Sequence, residues 1–430
     1  MKKIIILLGV LIICTVVIFS QDKESVNEES VNGLVLYKSE VSSYGTLKTY
    51  LSTELGVNLE IDYAVDDSEI INDSDFWEYS RIQLTNKLKN NNVDLLLDIP
   101  NEYLRDYIEN ESLLKLDDYI NIDTIHPAVV DKSRKIGNGS IYFISPYFSS
   151  DFLMVNTKLF DELKVPIPSE IKFWQDVPKI LSNIKTSIED NGIEDIYPLS
   201  LGMNGIESFF QDFEVLTAPL DLSIKSGRNI YGDERWLSVF SFFMDLYKEY
   251  GVHETIDTMD MFLDDKIVMK FVQGPEIMRY KDFMDKYKIF EVPSYEGFED
   301  KVFLNTTDIS IPLNAPNKEN ALNVLNHFFS KEFANKGIKS RLFGIYPFVS
   351  YVDDGILDKY RELYNLNEPS VIYSDKPGYA NKHEFILFND YFNYQEVQRE
   401  VVPDIIRGNI SIEDGFHKIK SKYLDYSDLE

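Results

Sequence analysis

The chain has 430 residues, 44% of them hydrophobic and 13% aromatic, and a formal net charge of −29. This length exceeds one ordinary core and suits two domains, and the apolar content excludes a disordered chain. The negative charge repels phosphate backbones and argues against a nucleic-acid partner, while giving the soluble surface expected of a monomer.

The chain opens with MKKIIILLGVLIICTVVIFSQDKES. Two lysines precede an apolar run, Ile4 to Ser20, which polar Gln21-Asp22 closes. A basic start, an apolar centre and a small residue near the end predict an export signal over 1–20. Three fates fit it: cleavage after Ser20, retention as a short membrane anchor, or lipidation at Cys14 within LIIC. Cys14 is the only cysteine, so neither a disulfide nor a thiolate metal site is expected. Residues 21–32 are polar and predict a flexible tether.

GLVLYK (33–38) predicts an apolar strand. A helix follows, with Leu47, Leu51 and Leu55 on one face and Gly56 as its stop. NLEIDYAV (58–65) alternates as a second strand. FWEYSRIQLTNKLKNN predicts a helix, and VDLLLDIP (93–100) a buried strand. Strands alternating with helices predict α/β architecture with a parallel sheet. Ligands of such sheets sit beyond the carboxyl ends of the strands. That singles out Glu40 and Tyr44 after the first strand, and Asp98, Asn101 and Tyr103 after the third, where solvated loop positions are the plain alternative.

The stretch GNGSIYFISPYFSSDFLMVNTKLFDEL (137–163) holds two apolar runs, Ile141–Ile144 and Phe152–Val155. Pro146 lies between them and argues against a central ladder position there. Tyr147 and Phe148 directly behind it suggest a crossing of chain segments where something flat can sit. Trp174 and Trp236 fall on helical stripes that read as core. IVMKFVQGPEIM (267–278) is a strand that breaks at Gly274-Pro275. DISIPLNAPNKENALNVLNHFFSKE gives a strand, a loop and a helix, and the chain ends in helices.

The sequence contains no glycine-rich phosphate loop, no G-x-S-x-G and no His-Glu-x-x-His. The five histidines are scattered without metal-ligand spacing. No cofactor and no metal are expected. The 72 acidic residues leave a hydrolytic carboxylate pair open, with no spacing that favours one.

From about 33 to 425 the order of segments resembles the family 1 extracellular solute-binding proteins of bacterial ABC importers, the maltose-binding-protein-like group. The resemblance rests on Tyr142, Pro146, Asn156, Phe160, Pro168 and Trp174, on FVQGPEIM, on NAPNKENALNVLNHFFSKEFANKG with FGIYP beyond it, and on IIRGNISIEDGF. Val155 stands where the family often has Tyr, and Pro275-Glu276 where Trp is common.

The resemblance implies a two-lobed periplasmic-binding-protein type II fold, each lobe a mostly parallel sheet flanked by helices, joined by a hinge near Pro146. One lobe would hold 33–143 plus 303–348, the other 144–302 plus 349–430. The implied function is capture of a small solute, a carbohydrate in the first instance, without catalysis, and its delivery to ABC-importer permeases at the outer face of the membrane. An exported carbohydrate-active enzyme and a surface sensor or adhesin are the alternatives. The implied ligand-binding residues are Glu40, Tyr44, Asp98 and Asn101 from the first lobe, and Tyr147 and Phe148 from the crossover. Gly274 and Glu276 at the broken strand join them, with Tyr391 and Tyr394 in NDYFNYQ, which aligns with a sugar-contacting aromatic segment of the family.

Overall fold

The computed structural model describes residues 29–66, 76–89, 92–202, 216–217, 220, 235–253, 257–298, 302–339, 342, 347–364, 378–379 and 400–427. Cys14, the rest of the N-terminal apolar run, Tyr391 and Tyr394 lie outside these residues. Among the described residues no helix is long and apolar enough to cross a membrane.

The first strand, β1, runs from Glu29 to Tyr37. It therefore takes up residues 29–32, which composition alone gives to the tether: Glu29 through Asn32 pair in register with Val57 through Glu60. Helix α1 (Gly45–Leu55) ends where Gly56 turns left-handed at φ 67°, a conformation glycine adopts at no steric cost. Strand β2 (Val57–Val65), helix α2 (Phe76–Lys89), strand β3 (Leu95–Leu97), helix α3 (Asn101–Glu109) and helix α4 (Pro127–Ile136) follow. His126 caps α4 by accepting the Ala128 N–H on Nδ1, with Pro127 in the first turn.

Strand β4 spans Phe143–Ser149 and β5 Phe152–Asn156. Then come α5 (Thr157–Glu162), α6 (Val177–Asp190), β6 (Tyr197–Ser200), α7 (Arg235–Tyr250), α8 (Thr258–Leu263), β7 (Ile267–Val272), α9 (Ile277–Tyr280), β8 (Tyr287–Glu291), β9 (Val302–Phe303) and β10 (Asn305–Ser310). The last elements are α10 (Lys318–Phe328), α11 (Lys331–Gly337), β11 (Phe348–Val349), α12 (Asp354–Tyr364), β12 (Gly378–Tyr379) and α13 (Ile412–Ser427).

Two main sheets result. The first has six strands in the order β11-β4-β10-β3-β1-β2, the second four in the order β6-β7-β5-β8. Both are mixed rather than mostly parallel. In the first sheet β1 pairs parallel with β2 and β3, whereas β10 and β11 run antiparallel to their neighbours. In the second only β6 and β7 are parallel. Parallel pairs need a covering helix between them, which α1 supplies for β1 and β2. Strands β10 and β11 return to the first sheet from elsewhere, with no such crossover, and run the other way.

Pro146 is not the point where the chain leaves the first sheet. Strand β4 runs through it, paired on both sides. Tyr147 opposes Thr307 and Ile144 opposes Ile309, so Ser145 and Pro146 together face Asp308. This is a β-bulge, which leaves one residue out of the ladder. The proline lacks only the N–H that a bulge position does not need, and its carbonyl accepts the Ser350 N–H at 2.8 Å. The chain changes sheet at Ser150-Asp151, between β4 and β5. Residues 144–149 thus belong with the first sheet, six positions beyond the boundary that the bend suggests.

Leu95, Leu96 and Leu97 are all fully buried, as expected of a strand covered on both faces. Asp94, directly before them, is buried too and accepts from the Asn32 N–H and from both the N–H and the Nδ2 of Asn317. That ties the start of α10 to β1 and β3. Trp174 and Trp236 are core residues of the second sheet's cluster, and Trp174 packs edge-on against Phe243 at 5.0 Å.

Candidate functional site

Two buried polar clusters stand near the two ends of β4, the strand after which the chain first changes sheet. The first gathers at the carboxyl end of β3, on β10 and on α4. Lys132 Nζ lies 2.7 Å from Asp308 Oδ2 and also donates to Thr306 Oγ1. Ser145 and Thr306 both donate to Asp308 Oδ1. Asp98, the residue after β3, donates its backbone N–H to the Asp308 carbonyl at 2.7 Å and adopts the left-handed region at φ 55°. Few non-glycine residues adopt it, aspartate among the more tolerant. Burial, then the Asp308 and Glu40 carboxylates, push the Asp98 carboxyl up to about 7, against the opposing pull of Lys132. Asn101 opens α3, and its Oδ1 is buried without a hydrogen bond among the described residues. Glu40 is half-buried and accepts the Tyr37 N–H at 3.0 Å.

The second cluster forms where β5 begins and β7 ends. Asp151 Oδ1 accepts the Gly274 N–H at 2.9 Å. Gly274 is required there: a Cβ would fall on the Ser149 side chain and within 2.7 Å of the Ser150 carbonyl. Glu276 Oε1 lies 3.1 Å from Lys270 Nζ and accepts the Tyr280 hydroxyl at 2.6 Å. Lys270 also donates to the Gly202 carbonyl and to Thr258 Oγ1. Burial pushes the Asp151 carboxyl up to about 7; the Gly274 N–H works against that rise and the Glu276 charge adds to it. Ser149 Oγ, Ser150 Oγ, Asp151 Oδ2 and Glu276 Oε2 are all buried without a hydrogen-bond partner among the described residues.

The structure places Asp98, Asn101, Glu40, Gly274 and Glu276 beside strand ends and buries four aromatic residues that the sequence singles out. Tyr147 is 1% and Phe148 0% exposed, so neither presents a face for a solute. The bulge at Ser145-Pro146 turns both into the packing of the first sheet. Tyr147 meets Phe333 edge-on at 5.7 Å, and Phe148 meets His126 at 4.9 Å and Phe348 at 5.6 Å. Tyr44 is buried in the same core cluster, and Tyr103 in the cluster on the sheet's other face. Inspection of the sequence misses Lys132, Ser145, Asp308, Ser149, Ser150, Asp151 and Lys270. Their signal is a polar or charged residue inside or beside an apolar strand, as in IVMKFV and TTDISI. Among the described residues no three His, Cys, Asp or Glu side chains come together as a metal site.

No protein-family model matches the sequence, and no curated protein matches it. Solved structures do resemble its fold. An extracellular solute-binding protein family 1 member from Alicyclobacillus acidocaldarius superposes with a TM-score of 0.61 at 12% identity, over 92% of this chain and 98% of that one. An ABC substrate-binding protein from Listeria monocytogenes, in complex with cycloalternan, gives 0.58 at 11% identity over 94% and 99%. A sugar transporter from Rhizobium etli in an open conformation gives 0.59 at 14% identity over 92% and 98%. The chain has the two-lobed α/β fold of periplasmic binding proteins.

Proposed function

We propose that the protein is an exported solute-binding protein that captures a small hydroxylated solute, a carbohydrate, between its lobes and hands it to an ABC importer at the outer face of the membrane. One observation carries this reading: buried polar clusters stand near both ends of β4, the strand after which the chain leaves the first sheet and enters the second as β5. Asp98, Asn101, Asp308 and Glu40 belong to one wall, and Ser149, Ser150, Asp151 and Glu276 to the other. Such groups hydrogen-bond hydroxyls, and closure of two lobes about a hinge brings both sets onto one solute. Structural neighbours in complex with sugars, cycloalternan in the Listeria protein and maltose in a T. maritima protein, favour the carbohydrate class.

On this reading the lobes divide at Ser150-Asp151, between β9 and β10, and just after β11. The N-terminal apolar run exports the chain and holds it at the membrane, whether as an anchor or by a lipid on Cys14. The protein binds without turnover.

The test is a thermal-shift and calorimetric screen of the full-length chain in a sugar-free detergent, over oligosaccharides, polyols and short peptides. A true ligand at 100 times its dissociation constant adds roughly 2.7 kcal/mol of stability. Asn101→Ala should then weaken binding about tenfold, a loss of roughly 1.4 kcal/mol, and leave the unliganded melting temperature in place. Hydrolysis of any bound oligosaccharide would replace this reading with an enzymatic one.

A further inference from the structure

Resting on the solute-binding reading, we propose that the solute carries a protonated amine, as an amino sugar does, and that Asp151 and the oxygens around it receive that amine.

The charges around Gly274 do not balance. Asp151 and Glu276 are both buried, 7% and 4% exposed, and among the described residues it is Glu276 that pairs with a lysine, Lys270. An ammonium has three N–H donors. Those of Lys270 have three acceptors: the Gly202 carbonyl at 3.2 Å, Thr258 Oγ1 at 3.1 Å and Glu276 Oε1 at 3.1 Å. None remains for Asp151. Its Oδ1 takes the Gly274 N–H, while its Oδ2 has no partner among the described residues.

Three further oxygens in the same state belong to residues near Asp151 or Gly274 in the chain. Ser149 and Ser150 precede Asp151 in the chain, a Cβ on Gly274 would fall on the Ser149 side chain and the Ser150 carbonyl, and Glu276 follows Gly274 by two positions. All three have an oxygen buried without a partner among the described residues. Two carboxylate oxygens can only accept, and a hydroxyl accepts as readily as it donates. A neutral hydroxyl entering here would supply one hydrogen and no charge. An ammonium supplies three hydrogens and the missing positive charge, and a buried carboxylate is stable only when so compensated.

The opposite wall repeats the imbalance more weakly. Glu40, Asp98 and Asp308 stand there with Lys132, which is already bound to Asp308 and Thr306. Burial holds the Asp151 carboxyl above the usual range, and a cation docked on it would restore the ionised form. Gly274 has no room for a side chain, so the ligand meets backbone and short side chains there rather than an aromatic plate.

The test compares three trisaccharides by calorimetry at pH 7 on the full-length chain in sugar-free detergent: β-1,4-linked glucosamine, its fully N-acetylated form, and maltotriose. The amine form should bind about tenfold or more tighter than the acetylated one. Asp151→Asn keeps an oxygen for the Gly274 N–H, so the variant should fold and melt at or above the native protein. It should lose the preference for the amine, its affinities for the amine and the acetylated trisaccharide converging to within about twofold. Equal or tighter binding of the neutral sugars overturns the inference and leaves the solute-binding reading standing. Persistence of the preference in a folded Asp151→Asn protein overturns the assignment to Asp151. Failure of all three to bind overturns the inference and the carbohydrate reading together.

Discussion

Lys270 meets Glu276 at 3.1 Å, with the two side chains 0% and 1% exposed. They stand on either side of the Gly274-Pro275 break, so the ion pair folds the end of β7 back on its own strand. Removing one partner leaves an uncompensated buried charge, which costs about 3–5 kcal/mol. Lys270→Met should therefore shift the urea midpoint sharply downward. Adding Glu276→Gln removes the stranded charge and keeps an acceptor for the Tyr280 hydroxyl, so the double variant should recover most of the loss. A single variant that unfolds with the native protein would show that the pair contributes nothing.

Tyr147 and Gly337 give a second test, of core packing. A Cβ on Gly337 would fall on the Tyr147 hydroxyl and within 2.9 Å of Val349 Cγ1. Gly337 ends helix α11, where alanine would otherwise be favoured by backbone entropy. Overpacking should win here, and Gly337→Ala should cost roughly 1–3 kcal/mol. Tyr147→Phe removes the oxygen in the way, so the double variant should be more stable than the two single losses added together. Strict additivity in this double-mutant cycle would mean that the two residues do not touch.

A third prediction concerns truncation at the crossover. Phe148 is enclosed by His126 and Phe348, and Phe348 also meets Phe152, at the start of β5, at 5.9 Å. Phe148→Ala should cost about 3–5 kcal/mol, seen as a lower melting temperature. In variants that remain folded, solute affinity should be unchanged. Weaker binding at an unchanged melting temperature would return Phe148 to the cleft.

The alternating strands and helices, the stop at Gly56 and the break at Gly274 are legible in the sequence because each rests on local chemistry: apolar periodicity, a left-handed glycine, a proline. Which side of Pro146 the chain leaves the first sheet is not. A proline in an apolar run looks the same whether it ends a strand or sits in a bulge, and only the opposing Asp308 on β10 decides. The same non-local pairing turns Tyr147 and Phe148 inward. Asp98 and Asn101 can be picked out from sequence alone because the rule that ligands sit beyond the carboxyl ends of strands needs only local patterning. Lys132 and Asp308 lie more than 170 residues apart, and no window of sequence shows that each neutralises the other. Lys270 was visible as the one charge in IVMKFV, a residue type that apolar strands bury only with a partner.

The last prediction follows from the two raised carboxyls. Asp98 and Asp151 sit at about 7 in the folded chain, against an ordinary value of 3.8. A raised carboxyl contributes its full stability below the unfolded value. It loses that contribution as pH climbs from about 4 to about 7, because the unfolded chain ionises first. His126 acts in the opposite sense. Burial lowers it from 6.5 to about 4, so its contribution is complete above 6.5 and disappears on acidification towards 4. Between pH 4 and 6.5 the imidazole therefore offsets one of the two carboxyls, and between 6.5 and 7 the carboxyls act alone. Comparison with the Asp98→Asn, Asp151→Asn double variant cancels the histidine and the many surface acids. The variant should gain on the native protein steadily from pH 5 to pH 7 and hold that gain at pH 8, read as the difference in urea midpoints without solute. A difference that stays flat across this range would mean that both carboxyls titrate as ordinary aspartates.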